Sequence, residues 1–154
     1  MHPPQPFGPL DHYPHMKPQD IHLWVKFLLA NPGFGDTAEY DVLVGEGMIF
    51  GDVETDKYAR DFQELTQKKI DVVVRKGSTV WIIEIKPNAG PTALGQVLAY
   101  AQLWRKKNID ERDVHLAILT NEPQSDYEEI FAAHGIDLVR TGFCADCRLP
   151  ANYG

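Results

Sequence analysis

The run KKIDVVVRKGSTVWIIEIK, from Lys68 to Lys86, constrains this chain more than any other stretch. Two segments rich in β-branched residues flank Gly77-Ser78. A glycine at the first position of a two-residue loop supplies the positive φ that a type II′ turn requires, so the run reads as a β-hairpin. Counting outward sets Lys76 opposite Thr79, Arg75 opposite Val80, Val73 opposite Ile82 and Asp71 opposite Glu84. Residues opposed in this way share a face, with Cβ atoms ~5 Å apart. Lys86, two residues beyond Glu84, points to that face too. The other face becomes an apolar layer of Ile70, Val72, Val74, Trp81, Ile83 and Ile85.

Two carboxylates directly opposed in a sheet repel each other. One reading puts Asp71 and Glu84 at a solvated sheet edge, with Lys86 between them electrostatically. The other puts a divalent cation there, since Mg²⁺ is held by one or two carboxylates together with water and substrate phosphate. The helix expected next begins a few residues after Lys86, so its first half starts near the acids. Gln96 and Tyr100, at i and i+4, share one of its faces, opposite a side centred on Val97, Leu98 and Trp104. Amide and phenol groups in that position suit contacts to phosphate or base.

The remaining chain supplies an α/β frame. Residues 1–19 hold six prolines and read as an extended arm that packs on the domain or stays mobile. Asp20 is a candidate cap for a helix through Ala30, with Ile21, Trp24, Val25, Leu28 and Leu29 at helical spacing. Tyr40 to Gly45 reads as a short strand. The stretch from Glu46 to Gln67 is either a short helix over DKYARDFQELTQ or an irregular crossing. Pro91 suits the first turn of a helix that Thr92 to Lys107 continues, and the nearly all-apolar VHLAILT from Val114 to Thr120 reads as a central strand covered on both faces. A helix over DYEEIFAAH, capped by Ser125, and a strand from Ile136 to Arg140 complete a mixed sheet with helices on both faces. The expected organisation is an arm over 1–19, a single domain over 20–142 and a tail over 143–154.

Composition narrows the function classes. With 154 residues and 44% hydrophobic content, the chain supports one domain with a substantial core. A net charge of −7 argues against a generic nucleic-acid coat or a membrane-surface binder. Local basic clusters remain at Lys68-Lys69, Arg75-Lys76 and Arg105-Lys106-Lys107, the last also favourable at a helix C-terminus. No apolar run approaches the ~20 residues of a membrane span, and the first residues lack the character of a signal peptide. A soluble cytoplasmic protein is expected.

The combined pattern of Asp71, Glu84-Ile85-Lys86 and Gln96-x-x-x-Tyr100 resembles the PD-(D/E)xK nuclease superfamily, among whose branches are RecB-like and stand-alone phage nucleases. The match is close over Ile70 to Tyr100, and the elements over Tyr40 to Thr120 are similar to its restriction-endonuclease-like αβββαβ core. LTQKKIDVVV, IIEIKPNAG and ALGQVLAYAQLW also resemble segments of small proteins of tailed phages. The resemblance implies a deoxyribonuclease dependent on Mg²⁺ or Mn²⁺, located in the host cytoplasm if phage-encoded. Asp71, Glu84 and the Ile85 carbonyl would ligate the metal, Lys86 would orient the attacking water, and Gln96 and Tyr100 would position the strand. The superfamily's additional acid has no clear counterpart; Glu39, Asp41 and Glu46 are the candidates. The alternative is a nuclease-fold assembly or DNA-binding factor that does not cut, and a homodimer or a phage protein partner fits either reading.

Cys144-x-x-Cys147 is half of a zinc site, for which His12 and His15 offer the other half if the termini meet; two free thiols need no such partner. Trp24, Trp81 and Trp104 fit packing positions. No phosphate loop, nucleophile elbow or dinucleotide fingerprint is present.

Overall fold

In a computed structural model, which describes residues 3–141, ten elements build one six-stranded sheet with helices on both faces. They are β1 (Gln5–Pro6), α1 (Pro18–Ala30), β2 (Thr37–Val44), α2 (Lys57–Thr66), β3 (Lys68–Lys76), β4 (Thr79–Ile85), α3 (Pro91–Lys107), β5 (Val114–Thr120), α4 (Ser125–Ala133) and β6 (Ile136–Arg140). The strands lie in chain order. Those from β1 to β4 pair antiparallel, and β5 and β6 add parallel through the helical crossovers α3 and α4.

The hairpin register is the one that turn chemistry dictates. Lys76 pairs with Thr79, Arg75 with Val80 and Val73 with Ile82, and Gly77 has φ 56°. One face of the sheet carries Val72, Val74, Ile83, Ile85, Ala117 and Leu119 beneath α1. The other carries Val73, Val80, Ile82, Leu116 and Ile118 beneath α3 and α4.

Ile70 departs from the alternation. It lies in the α3 layer rather than with Val72 and Val74. The cause is visible in β2, where Asp41 takes φ 51° between the pairs Tyr40–Val72 and Val42–Ile70. That left-handed residue reverses which side chains face which layer. Tyr40 packs under α1, while Val42 and Val44 pack under α3.

Other expectations are corrected locally. The helix α1 begins at Pro18, with Lys17 as N-cap, so Asp20 is not the cap but sits within the first turn. Proline suits that opening position because its missing N–H would have no intrahelical partner. Similarly, Gln124 rather than Ser125 is the N-cap of α4. The stretch between β2 and β3 does contain a helix, α2, capped by Asp56, whose side chain accepts from the Tyr58 N–H at 2.9 Å.

The N-terminal arm packs on the domain. Its Phe7, Leu10, Tyr13 and Met16 join the α1 layer, and β1 extends the sheet beside β2. Within that layer the Trp24 Nε1–H donates to the Tyr40 hydroxyl at 2.9 Å, which satisfies a buried indole. No helix among the described residues is long and apolar enough to cross a membrane. Cys144 and Cys147 lie outside the described residues.

Candidate functional site

The ladder between β3 and β4 is paired as far as Val72–Ile83. One step further, Asp71 stands opposite Glu84, and their side chains replace the missing rungs. The Asp71 N–H donates to Glu84 Oε1 at 3.2 Å, and the Ile85 N–H donates to Asp71 Oδ2 at 2.8 Å. Each carboxylate thus spends one oxygen on the facing strand, and the two carboxyl groups also hydrogen-bond each other.

Glu84 is not at a solvated edge. It lies on β4 between β3 and β5, is 1% exposed, and ranks among the large fully buried side chains. Burial, followed by the nearby charge of Asp71, pushes its carboxyl up from 4.5 to about 9. Asp71 is raised as well, chiefly by burial, against the opposing effects of the Ile85 N–H and the Lys86 ammonium. A buried acid facing a half-buried one does not ionise readily, so the pair holds a proton near neutral pH.

Lys86 follows β4, its N–H donating to the Leu119 carbonyl at 2.9 Å. Its charge is felt by Asp71, Glu84 and Asp20. Among the described residues the ion pairs are Lys57–Asp61, Arg75 with Glu39 and Glu111, His115–Asp113 and Arg140–Glu128, and none engages Lys86.

From the α3 side, Tyr100 is raised by burial and by the fields of Glu84 and Asp71. Gln96 lies beside it and hydrogen-bonds its hydroxyl, while Gln96 Oε1 is buried with no partner. Tyr100 thus lies within reach of both acids, with Gln96 bonded to it. Tyr100 is not, however, on a face opposite the apolar one: it is buried in the same layer as Val97 and Trp104.

Asp20 is the site residue that sequence reasoning missed. Burial and the charge of Asp71 raise its carboxyl, while Lys86, Lys17 and the Lys17 N–H oppose the rise. It therefore approaches the pair from the first turn of α1, reaching back to the helix N-cap as a capping-box acid does. The available signal was an acid at the third helical position after Lys17-Pro18, once proline is taken as the helix opening.

The three acids named as additional candidates separate cleanly. Glu39 is occupied by Arg75, with Nε at 3.3 Å from its Oε1. Glu46 is exposed and lines a groove with Leu103, Lys106 and Lys107. Asp41 alone acts on Asp71, which it faces across β2 and β3.

Among the described residues, no three acid, imidazole or thiol side chains converge in a way that could hold a metal ion. What the chain offers is a pair of hard oxygen donors, with Asp20 and Asp41 flanking. A pair suffices for Mg²⁺, which keeps most of its water and binds through one or two carboxylates plus substrate phosphate. The donor set fits such an ion by its chemistry, and a cation would offset the burial and the repulsion by Asp71 that raise the Glu84 carboxyl.

No protein-family model matches this sequence, and no curated protein does. Solved structures match its fold. One is a protein of unknown function, AF1548, at TM-score 0.51 and 19% identity, covering 79% of this chain and 57% of that one. Another is a repair endonuclease from Pyrococcus abyssi at TM-score 0.51 and 11% identity, covering 85% of this chain and 49% of that one. The chain thus spans about half the length of the structures it matches, and it shares with them a mixed α/β fold.

Proposed function

We propose that this chain hydrolyses phosphodiester bonds of DNA, with Mg²⁺ or Mn²⁺ held by Asp71, Glu84 and the Ile85 carbonyl. The observation that carries the reading is Glu84: a carboxyl 1% exposed, opposed to a second acid and pushed up to about 9. Such a pair costs stability and has no packing role that an apolar residue would not fill better. Strongly perturbed acids beside a lysine that forms no ion pair among the described residues are what a site for charged chemistry is built from.

When bound, the metal would supply Lewis acidity at the scissile phosphate and lower the pKa of a coordinated water. The chain's own residues supply the rest. Asp71 and Glu84 are oriented by the strand amides they accept from, and a cation would replace the hydrogen bond they make to each other. Lys86 orients the attacking water and stabilises charge developing on the phosphate oxygens. Gln96, whose Oε1 has no protein partner, and Tyr100 position the strand. Asp20 assists from α1. The resemblance to tailed-phage proteins makes a phage-encoded enzyme acting in the host cytoplasm part of the same proposal.

The experiment compares wild type with Asp71→Asn, Glu84→Gln and Lys86→Met on supercoiled, linear and single-stranded DNA, each with Mg²⁺, Mn²⁺ or chelator at low salt. Metal-dependent cutting by wild type, reduced at least ~100-fold in each variant, is the expected result. Folded wild-type protein that cuts nothing under any condition would overturn the reading and leave a DNA-binding or assembly role on this fold.

A further inference from the structure

The excursion between β2 and β3 carries a surface that the proposed chemistry does not use. In α2, Tyr58, Phe62 and Leu65 recur at helical spacing, which in a core helix would mark the buried stripe. Here they face solvent: Tyr58 is 84% exposed, Leu65 79% and Phe62 39%. The loop before α2 adds Met48, Ile49 and Phe50, exposed at 62%, 62% and 71%, with the Phe50 and Phe62 rings 6.2 Å apart. Only Ala59 of α2 is buried.

The excursion is nonetheless tightly built. Gln63 Nε2 donates to the Glu46 carbonyl and Gln67 Nε2 to the Gly45 carbonyl, both at 2.8 Å, and the Met48 N–H donates to Thr66 Oγ1 at 2.7 Å. Gly47 has φ 70°, and a Cβ there would overlap the Gln63 carbonyl. Polar bonds fix the loop to the helix while the apolar side chains are left outward. A contiguous apolar surface of this kind on a folded chain marks an interaction site.

Charge selects the occupant. Residues 46–67 hold six carboxylates against Lys57 and Arg60, a net −4 within a chain of −7. Beside α2 runs a groove of about 440 Å³ lined by Leu43 and Leu65 together with Asp41, Asp61 and Glu64, with His15 and Lys69 closing it. An apolar floor with acidic walls suits a long aliphatic cation, whose stem packs while its head stays paired. A nucleic acid would meet repulsion here, and a second copy would bring −4 against −4.

We propose that the α2 excursion docks a basic amphipathic segment of another protein, its apolar side chains on Phe50, Tyr58 and Leu65 and a lysine or arginine in the groove. The excursion's apolar side chains are not those of the proposed site, which the groove touches through Asp41, and the docking does not depend on whether the chain cuts DNA. For a nuclease of net charge −7, a cationic partner would also add electrostatic attraction to DNA.

The test is fluorescence anisotropy with a labelled synthetic helix of leucine and lysine, and with its leucine–glutamate counterpart of the same pattern. The proteins are full-length wild type, Phe50→Ser/Leu65→Ser and Glu64→Lys, each checked for an unchanged circular dichroism spectrum. The expected result is wild-type binding to the lysine helix only, weakened roughly tenfold or more in each variant. Equal binding by wild type and the serine variant would show charge attraction alone and overturn the proposal. Preference for the glutamate helix would do the same. So would wild-type self-association on sedimentation that the serine variant abolishes, since the occupant would then be a second copy.

Discussion

Glu84 keeps its proton to about pH 9 in the folded chain, against 4.5 for the free side chain. Between those values the folded state binds more protons than the unfolded one, so stability is greatest below the lower value and is lost as pH rises towards the upper one. The loss has a ceiling of about 1.4 kcal/mol per pH unit for one group. Asp71, raised as well, acts in the same direction. Thermal melts of metal-free protein should therefore show Tm falling from about pH 5 to about pH 9. Glu84→Gln should flatten that slope, and added Mg²⁺ should raise Tm most at the alkaline end, where it replaces the proton. A flat wild-type profile would mean that Glu84 is ionised throughout. The opposition of Asp71 and Glu84 was legible in the sequence because Gly77 fixes the turn and the turn fixes the count. Asp20 was not, because its place depends on where α1 crosses the sheet end, and no local pattern encodes that.

Elements were legible where period and punctuation agree. The strands β5 and β6 fall where their apolar runs predict, and α3 opens on Pro91, as a proline suited to the first turn predicts. The turn of the β3–β4 hairpin rests on Gly77 at φ 56°, with open space around it. Gly77→Ala should then cost about 1 kcal/mol through backbone strain alone, readable as a shift in the urea midpoint at constant m-value. The kink in β2 was invisible because an aspartate, not a glycine, occupies the left-handed position at Asp41. The short helix α2 was ambiguous for a different reason: its apolar residues are few and most of them face water, so burial does not reinforce the helical period.

At the scale of the whole molecule, the proline-rich arm completes the α1 layer instead of trailing from it. Tyr13 is 6% exposed and its ring meets Tyr40 edge-on at 5.3 Å. Phe7 likewise meets Trp24 edge-on at 6.2 Å. Deleting residues 1–16 removes these rings together with Leu10 and Met16. At ~1.5–3 kcal/mol for each large side chain fully buried, the loss should exceed about 3 kcal/mol. Equilibrium unfolding of the truncated chain checks this, and an unchanged midpoint would mean that the arm contributes nothing to the fold. Composition announced the arm but not its docking, because six prolines dictate an extended path without saying what lies under it.

The exchanged rungs at the open end of the hairpin make two backbone amides into gauges of the acid pair. The Asp71 and Ile85 N–H groups are held by side-chain oxygens rather than by carbonyls of the facing strand. If a cation replaces the hydrogen bond between the two carboxyl groups, both amides keep their partners and exchange with deuterium slowly. If capture instead swings the carboxylates away, both amides lose their acceptors and exchange fast. The slow outcome is expected, because the strands already aim the carboxylates; residue-specific exchange with and without Mg²⁺ reads it directly. The backbone would then report on occupancy with no substrate present.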